Sequence, residues 1–134
     1  MICVTKGIHH MGLTVNDLDQ TTDFFTRLLG WKVVKSDPTY PSVFVSDGTV
    51  MITLWSLKSK DINIFDKNSN VGLHHFALQV DSMTALTALY EKLKAENIEI
   101  EFSPESLQDS PVNHMMVYEP GGIRLEFIYV PSEE

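Results

Sequence analysis

A chain of 134 residues, 43% hydrophobic and 21% charged, is one domain of ordinary size with enough apolar material to bury a core. Its formal net charge of −8 argues against nucleic acid or an anionic membrane surface as a partner. No apolar run approaches the ~20 residues of a membrane span, the first residues lack a signal-peptide pattern, and the single Cys3 cannot form an internal disulfide. The expectation is therefore a cytoplasmic protein.

Ile8 to Val15 predicts a strand with Met11, Leu13 and Val15 on one face and His10, Gly12 and Thr14 on the other. Asp17 is a candidate N-cap for a helix from Leu18 to Leu29, striped by Leu18, Phe25, Leu28 and Leu29 and stopped by Gly30. Trp31 to Lys35 reads as a strand, and Ser36 to Ser42, with two prolines, as a loop. Val43 to Ser46 and Val50 to Leu57 predict a hairpin about Asp47-Gly48. The segment of about 58–71 is polar and predicts a linker between a first module of about 6–57 and a second of about 72–131.

The pattern then starts again. Leu73 to Val80 predicts a strand, and Ser82 caps a helix striped by Leu86, Leu89, Tyr90 and Leu93. Asn97 ends that helix, Ile98 to Phe102 is a strand, and Ser103 to Asn113 is a loop containing Pro104 and Pro111. His114 to Tyr118 and Ile123 to Val130 close the chain as a hairpin, turned by Pro120 and by Gly121 in the conformation with φ > 0. The order strand, helix, three strands occurs twice, an α+β fold of two tandem βαβββ modules. Residues repeat as well: His9-His10 with Leu13 and Val15 matches His74-His75 with Leu78 and Val80 at a constant offset of 65.

Strand parity separates the histidines. His9 and His74 share the apolar face, where capping or packing explains them. His10 and His75 lie with Gly12 and Thr14, and with Ala77 and Gln79, on faces that can line a cavity. Glu126 sits mid-strand between Leu125 and Phe127, where a free carboxylate is costly without a partner. Two imidazoles and a carboxylate form a facial set that leaves coordination positions open for water, dioxygen or substrate. A structural zinc would instead want four protein ligands, usually thiolates. His10, His75 and Glu126 are therefore the candidate metal ligands. His114 reads either as a proton-transfer group or as a surface histidine. Arg124 reads as the holder of an anionic substrate group or as half of a salt bridge, and Trp55 and Met116 as a pocket floor or as core.

The doubled module, the two His-x-small-Leu-x-Val strands and Pro120-Gly121-Gly122-Ile123-Arg124-Leu125-Glu126-Phe127 resemble the vicinal oxygen chelate superfamily. That group includes glyoxalase I, extradiol dioxygenases, methylmalonyl-CoA epimerase, fosfomycin-modifying enzymes and bleomycin resistance proteins. The resemblance spans roughly Lys6 to Val130 and implies curved mixed sheets enclosing one divalent metal ion (Fe, Mn, Zn or Ni). It implies a small oxygen-bearing substrate that chelates the metal, with His114 and Glu126 as catalytic residues and Thr53, Trp55, Met116 and Arg124 lining the substrate site. The reaction stays open between a glyoxalase-like lyase or isomerase and a dioxygenase.

A non-enzymatic sequestering protein of the bleomycin-resistance type is the alternative, although such proteins generally lack the ligands retained here. Thr53 stands where glyoxalase I has a second glutamate, which implies weak activity on hemithioacetals of glutathione. Gly12 departs from the threonine of the fosfomycin enzymes, and one module pair departs from the two of common extradiol enzymes. The resemblance also implies a homodimer with shared active sites.

Overall fold

The computed structural model describes residues 1–132. The chain forms two compact units, one of Met1–Ile62 and one beginning at Asn63, divided inside the polar segment read as a linker. Each is an α+β unit built on a mixed four-stranded sheet, and neither sheet closes on itself.

In the first unit the sheet order is β1 (His10–Val15), β4 (Met51–Ser56), β3 (Ser42–Ser46), β2 (Lys32–Asp37). Asp17 caps α1 (Leu18–Asp23) as its composition predicts, its Oδ1 accepting from the Gln20 N–H at 3.0 Å. Beyond Asp23 the helix widens into a π-helical segment, Phe24–Leu28, where Leu29 N–H reaches the Phe24 carbonyl. This turn seats Phe24, Phe25 and Leu28 all in the core, with Thr21, while Leu18 and Leu29 stay only half-buried. Gly30, at φ +78°, supplies the left-handed residue that ends it. Leu13, Val15, Val45, Ile52, Leu54 and Trp31 complete this core, with the Phe25 and Trp31 rings edge-on at 5.1 Å.

The second unit repeats the topology as β5 (Phe76–Gln79), β8 (Arg124–Tyr129), β7 (Asn113–Tyr118), β6 (Glu99–Ser106). Ser82 caps α2 (Met83–Ala95), whose Leu86 and Leu93 are fully buried, and Asn97 ends it at φ +59°. Fully burying a leucine contributes about 1.5–3 kcal/mol. The helix packs on β6, β7 and β8, and Met115, Val117, Leu125 and Phe127 form the buried sheet face.

Three local expectations are corrected. β5 starts at Phe76, because its first partner is Leu125 just after the turn, so His74 and His75 precede the strand. β6 continues through Pro104 to Ser106, where a loop was expected. It is an edge strand with register breaks, so a residue without an N–H is tolerated there. In the closing turn the positive φ falls on Gly122, at +92°, and not on Gly121. Glu119 organises that turn: its carbonyl accepts from Gly122 at 2.8 Å and its side chain from Ile123 N–H at 3.0 Å.

Candidate active site

The register of the second sheet places Glu126 beside Ala77 on one side and Met116 on the other. Directly opposed residues share a face, so His114, Met116 and Tyr118 of β7 line up with Ile128, Glu126 and Arg124 of β8. This is the face away from the buried Leu125 and Phe127. On it, His114 Nδ1–H donates to Glu126 Oε2 at 2.5 Å, and His75 Nε2 stands 3.3 Å from Glu126 Oε1. The Glu126 side chain is 11% exposed and that of His114 12%, so the carboxylate is sheltered and depends on these partners. The His114 ring lies against Phe102, centroids 4.9 Å apart. In a neutral His114 this bond leaves the lone pair on Nε2, the atom able to take up a proton.

Arg124 meets an acidic neighbour. Its Nε and Nη2 donate to Glu101 Oε1 and Oε2 at 2.9 and 2.7 Å, a bidentate pair, and the Tyr118 hydroxyl donates to Oε1 at 2.6 Å. The hydrogen bond from Arg124 draws the Glu101 carboxyl from its ordinary 4.5 down to about 2, against desolvation. The same Glu101 bonds push Tyr118 and Arg124 upward. The third nitrogen, Nη1, donates to His74 Nδ1 at 3.3 Å, and His74 Nδ1 lies 2.6 Å from His75 Nδ1. Lost hydration first, then the charge of Arg124, hold the His74 imidazole below its ordinary range.

A pH dependence follows for Glu101. A carboxyl depressed in the folded state stabilises fully above its unfolded value and loses that contribution as pH falls through the folded one. Stability of the second unit should therefore fall between pH 4.5 and about 2. In thermal melts across that window, Glu101→Gln should flatten this part of the acid limb, and an unchanged limb would remove the salt bridge from the account.

The first unit uses the corresponding positions differently. Gly12 pairs with Thr53 as Ala77 pairs with Glu126, so the register equates Thr53 with Glu126. The Thr53 hydroxyl accepts from Trp55 Nε1–H at 2.8 Å and lies 3.5 Å from the Met11 carbonyl. A Cβ at Gly12 would stand 3.2 Å from Thr53 Oγ1 and 3.5 Å from Trp55 Nε1, so a larger residue there would push the Thr53 hydroxyl by a few tenths of an ångström. The Tyr40 and Phe44 rings flank Trp55 at 5.2 and 5.6 Å, and Lys58 Nζ stands 4.2 Å over the Tyr40 ring. His10 opens β1, exposed, with its Nδ1 2.9 Å from His9 Nδ1.

Among the candidate residues, the structure thus brings His75, Glu126, His114 and Met116 together, and Thr53 with Trp55. Arg124 is joined to Glu101. His10 belongs to the first unit. Glu101, Tyr118 and the contact of His74 with His75 were not singled out from sequence, because nothing local links Glu101 on an edge strand to Arg124 two strands away.

Among the described residues, no cluster of three or more His, Cys, Asp or Glu side chains converges in a ready metal-binding arrangement. The chemistry of the pair present does fit a divalent ion. An imidazole nitrogen and a carboxylate oxygen 3.3 Å apart have the spacing of two ligands each about 2.1 Å from one ion.

Comparison with known proteins places this geometry in context. The chain is 27% identical over 156 residues to the 2-epi-5-epi-valiolone epimerase of Actinomyces sp, covering 94% of this chain and 80% of that protein. It is 25% identical over 129 residues to the trivalent organoarsenical cleaving enzyme of Bacillus sp. (strain MD1), covering 92% and 73% respectively. The crystal structure of a glyoxylase/bleomycin resistance protein/dioxygenase domain from Frankia sp. EAN1pec matches with a TM-score of 0.83 at 25% identity, over 97% of this chain and 96% of that one. Among the described residues, no helix is long and apolar enough to cross a membrane. The family model described as Glyoxalase/Bleomycin resistance protein/Dioxygenase superfamily matches residues 7–127, nearly the whole sequence, and the chain belongs to that superfamily.

Proposed function

We propose that the protein is a divalent-metal enzyme that moves a proton on a small metabolite whose neighbouring oxygens chelate the metal. The observation that carries this reading is the His75–Glu126–His114 set, in which the sheltered Glu126 touches one imidazole through each oxygen. His75 and Glu126, with His10, would hold the ion, which when bound supplies Lewis-acid stabilisation of a carbonyl or enolate oxygen. Glu126 Oε2 orients His114 through Nδ1, and His114 Nε2 takes the proton from the substrate carbon and returns it. Proton transfer of this kind suits epimerase or isomerase chemistry, and the similarity to an epimerase supports it. Thr53, already bonded to Trp55, offers no second carboxylate.

A homodimer with shared sites goes with this reading. Apolar side chains of the N-terminal segment (Ile2, Val4, Ile8) and of the segment around the unit boundary (Ile62, Ile64) stand in solvent. A second copy would cover such a surface. The unpaired Cys3 suits a reducing compartment, and we place the enzyme in the cytoplasm.

A second reading, non-enzymatic binding of a planar ligand, is favoured by the Tyr40, Phe44 and Trp55 rings and Lys58 in the first unit. Metal analysis of protein purified without chelator separates the two. The enzyme reading expects about one ion per chain, reduced more than about tenfold by His75→Ala and unchanged by His9→Ala. A wild type that takes up no zinc, manganese, iron or nickel on titration sinks it.

A further inference from the structure

We propose that the first unit carries a platform for an aromatic carboxylate, on which Trp55 receives the ring of the ligand and Lys58 selects its charge. The platform follows the register of the sheet. Lys35, Phe44, Thr53 and Gly12 form one row across the four strands, and Asp37, Ser42, Trp55 and Thr14 the next. Directly opposed residues share a face, so Phe44 and Trp55 stand together beside two small residues of β1. The indole has a single polar atom, Nε1, and Thr53 Oγ1 accepts from it at 2.8 Å. What the half-buried Trp55 still shows to solvent is therefore carbon, held in one direction by that bond. Tyr40, from the turn between β2 and β3, meets the indole at 81°, and Phe44 meets it at 59°. Rings set at such angles offer faces and edges to a further planar ring.

The charge comes from two lysines. Lys58 Nζ lies 4.2 Å over the Tyr40 ring, and Lys35 Nζ 5.7 Å from the Phe44 centroid. Among the described residues neither ammonium is in an ion pair, and Asp37 turns its Oδ1 to the Thr39 N–H at 2.9 Å. Cations already on the ring faces disfavour a cationic guest, and the same ammoniums are available to a carboxylate. The repeat does not account for the cluster. By the register that equates Thr53 with Glu126, Phe44 stands where the second unit has Met116, and Trp55 where it has Ile128. The first unit thus carries rings at positions where the second carries aliphatic side chains around its histidine and carboxylate.

This proposal rests on the planar-ligand reading of the first unit and adds the charge of the ligand; it holds for a substrate and for a sequestered molecule alike. The full chain, as purified and again with chelator, is tested by equilibrium dialysis against naphthoate, its neutral isostere naphthamide and the non-planar anion cyclohexanecarboxylate. Naphthoate should bind about 3- to 10-fold more tightly than naphthamide, the reach of a charge-assisted contact near a surface, and cyclohexanecarboxylate should bind most weakly. Lys58→Gln should bring naphthoate down to the level of naphthamide and leave naphthamide unchanged. Lys60→Gln removes the same charge from the same exposed segment and should leave naphthoate as in wild type. Equal losses in the two variants would reduce the effect to overall charge and overturn the proposal, as would a preference for naphthoate that vanishes with chelator. Tyr40→Leu should weaken both planar probes alike. Equal wild-type affinity for naphthoate and naphthamide would overturn the choice of an anion and uphold the planar reading, whereas binding of neither planar probe would sink both.

Discussion

Glu126→Ala is expected to abolish metal binding and to leave the second unit folded. The carboxylate meets both His75 and His114, so its loss removes the proposed oxygen ligand and releases both rings. The fold should survive because the opposite face of β8, carried by Leu125 and Phe127, is untouched. A stability cost remains. His114, 12% exposed, would be left with an unpaired N–H, worth about 1–3 kcal/mol, partly offset by removing a sheltered charge.

Glu126→Gln separates the two effects. It can still accept from His114 and should melt close to wild type, yet bind metal about 10- to 100-fold more weakly for want of charge. Isothermal titration with zinc and thermal melts of both variants make the comparison. Wild-type affinity in Glu126→Ala would remove Glu126 from the site.

Mixing a His10→Ala chain with a Glu126→Ala chain should restore metal binding that neither has alone. In a shared-site dimer, His10 of one chain acts with His75 and Glu126 of the other. Each mixed dimer then carries one intact site and one doubly broken one. Random pairing gives about half mixed dimers, hence about a quarter of wild-type metal capacity after co-refolding. Equilibrium dialysis reads this directly. Recovery of nothing from a mixture proven to exchange subunits, or a monomer at working concentration, would place the whole site within one chain.

The architecture was legible because the repeat is written in residues as well as in periodicity. His10 and His75, Leu13 and Leu78, and the turns at Asp47-Gly48 and Pro120-Gly121 mark equivalent points in the sequence itself. Alternation within β7 and β8 did not by itself set His114 and Glu126 on one face; the register between the two strands, Met116 opposite Glu126, does so.

What escaped were effects of tertiary context. Phe24 and Phe25 are both buried because the helix loosens to a π turn, which a 3.6-residue stripe cannot anticipate. Pro104 reads as a loop signal until β6 is known to be an edge. His74 was assigned to packing by parity, but it precedes the strand, so parity does not govern it, and it bonds to Arg124 and lies against His75. Arg124 offered two readings, and only the position of Glu101 decides between them.

The irregular outer strands have a consequence for life at high concentration. A strand at a sheet margin offers unpaired backbone groups to any similar strand from another molecule. In the second unit one margin is β6, broken twice in register and interrupted by Pro104. In the first, one margin is β2, broken between Val33 and Lys35, where Lys32 and Lys35 flank the exposed Val33 and Val34. Neither of these two margins presents a long, flat, regular ladder, so each is a poor template for strand addition by another molecule.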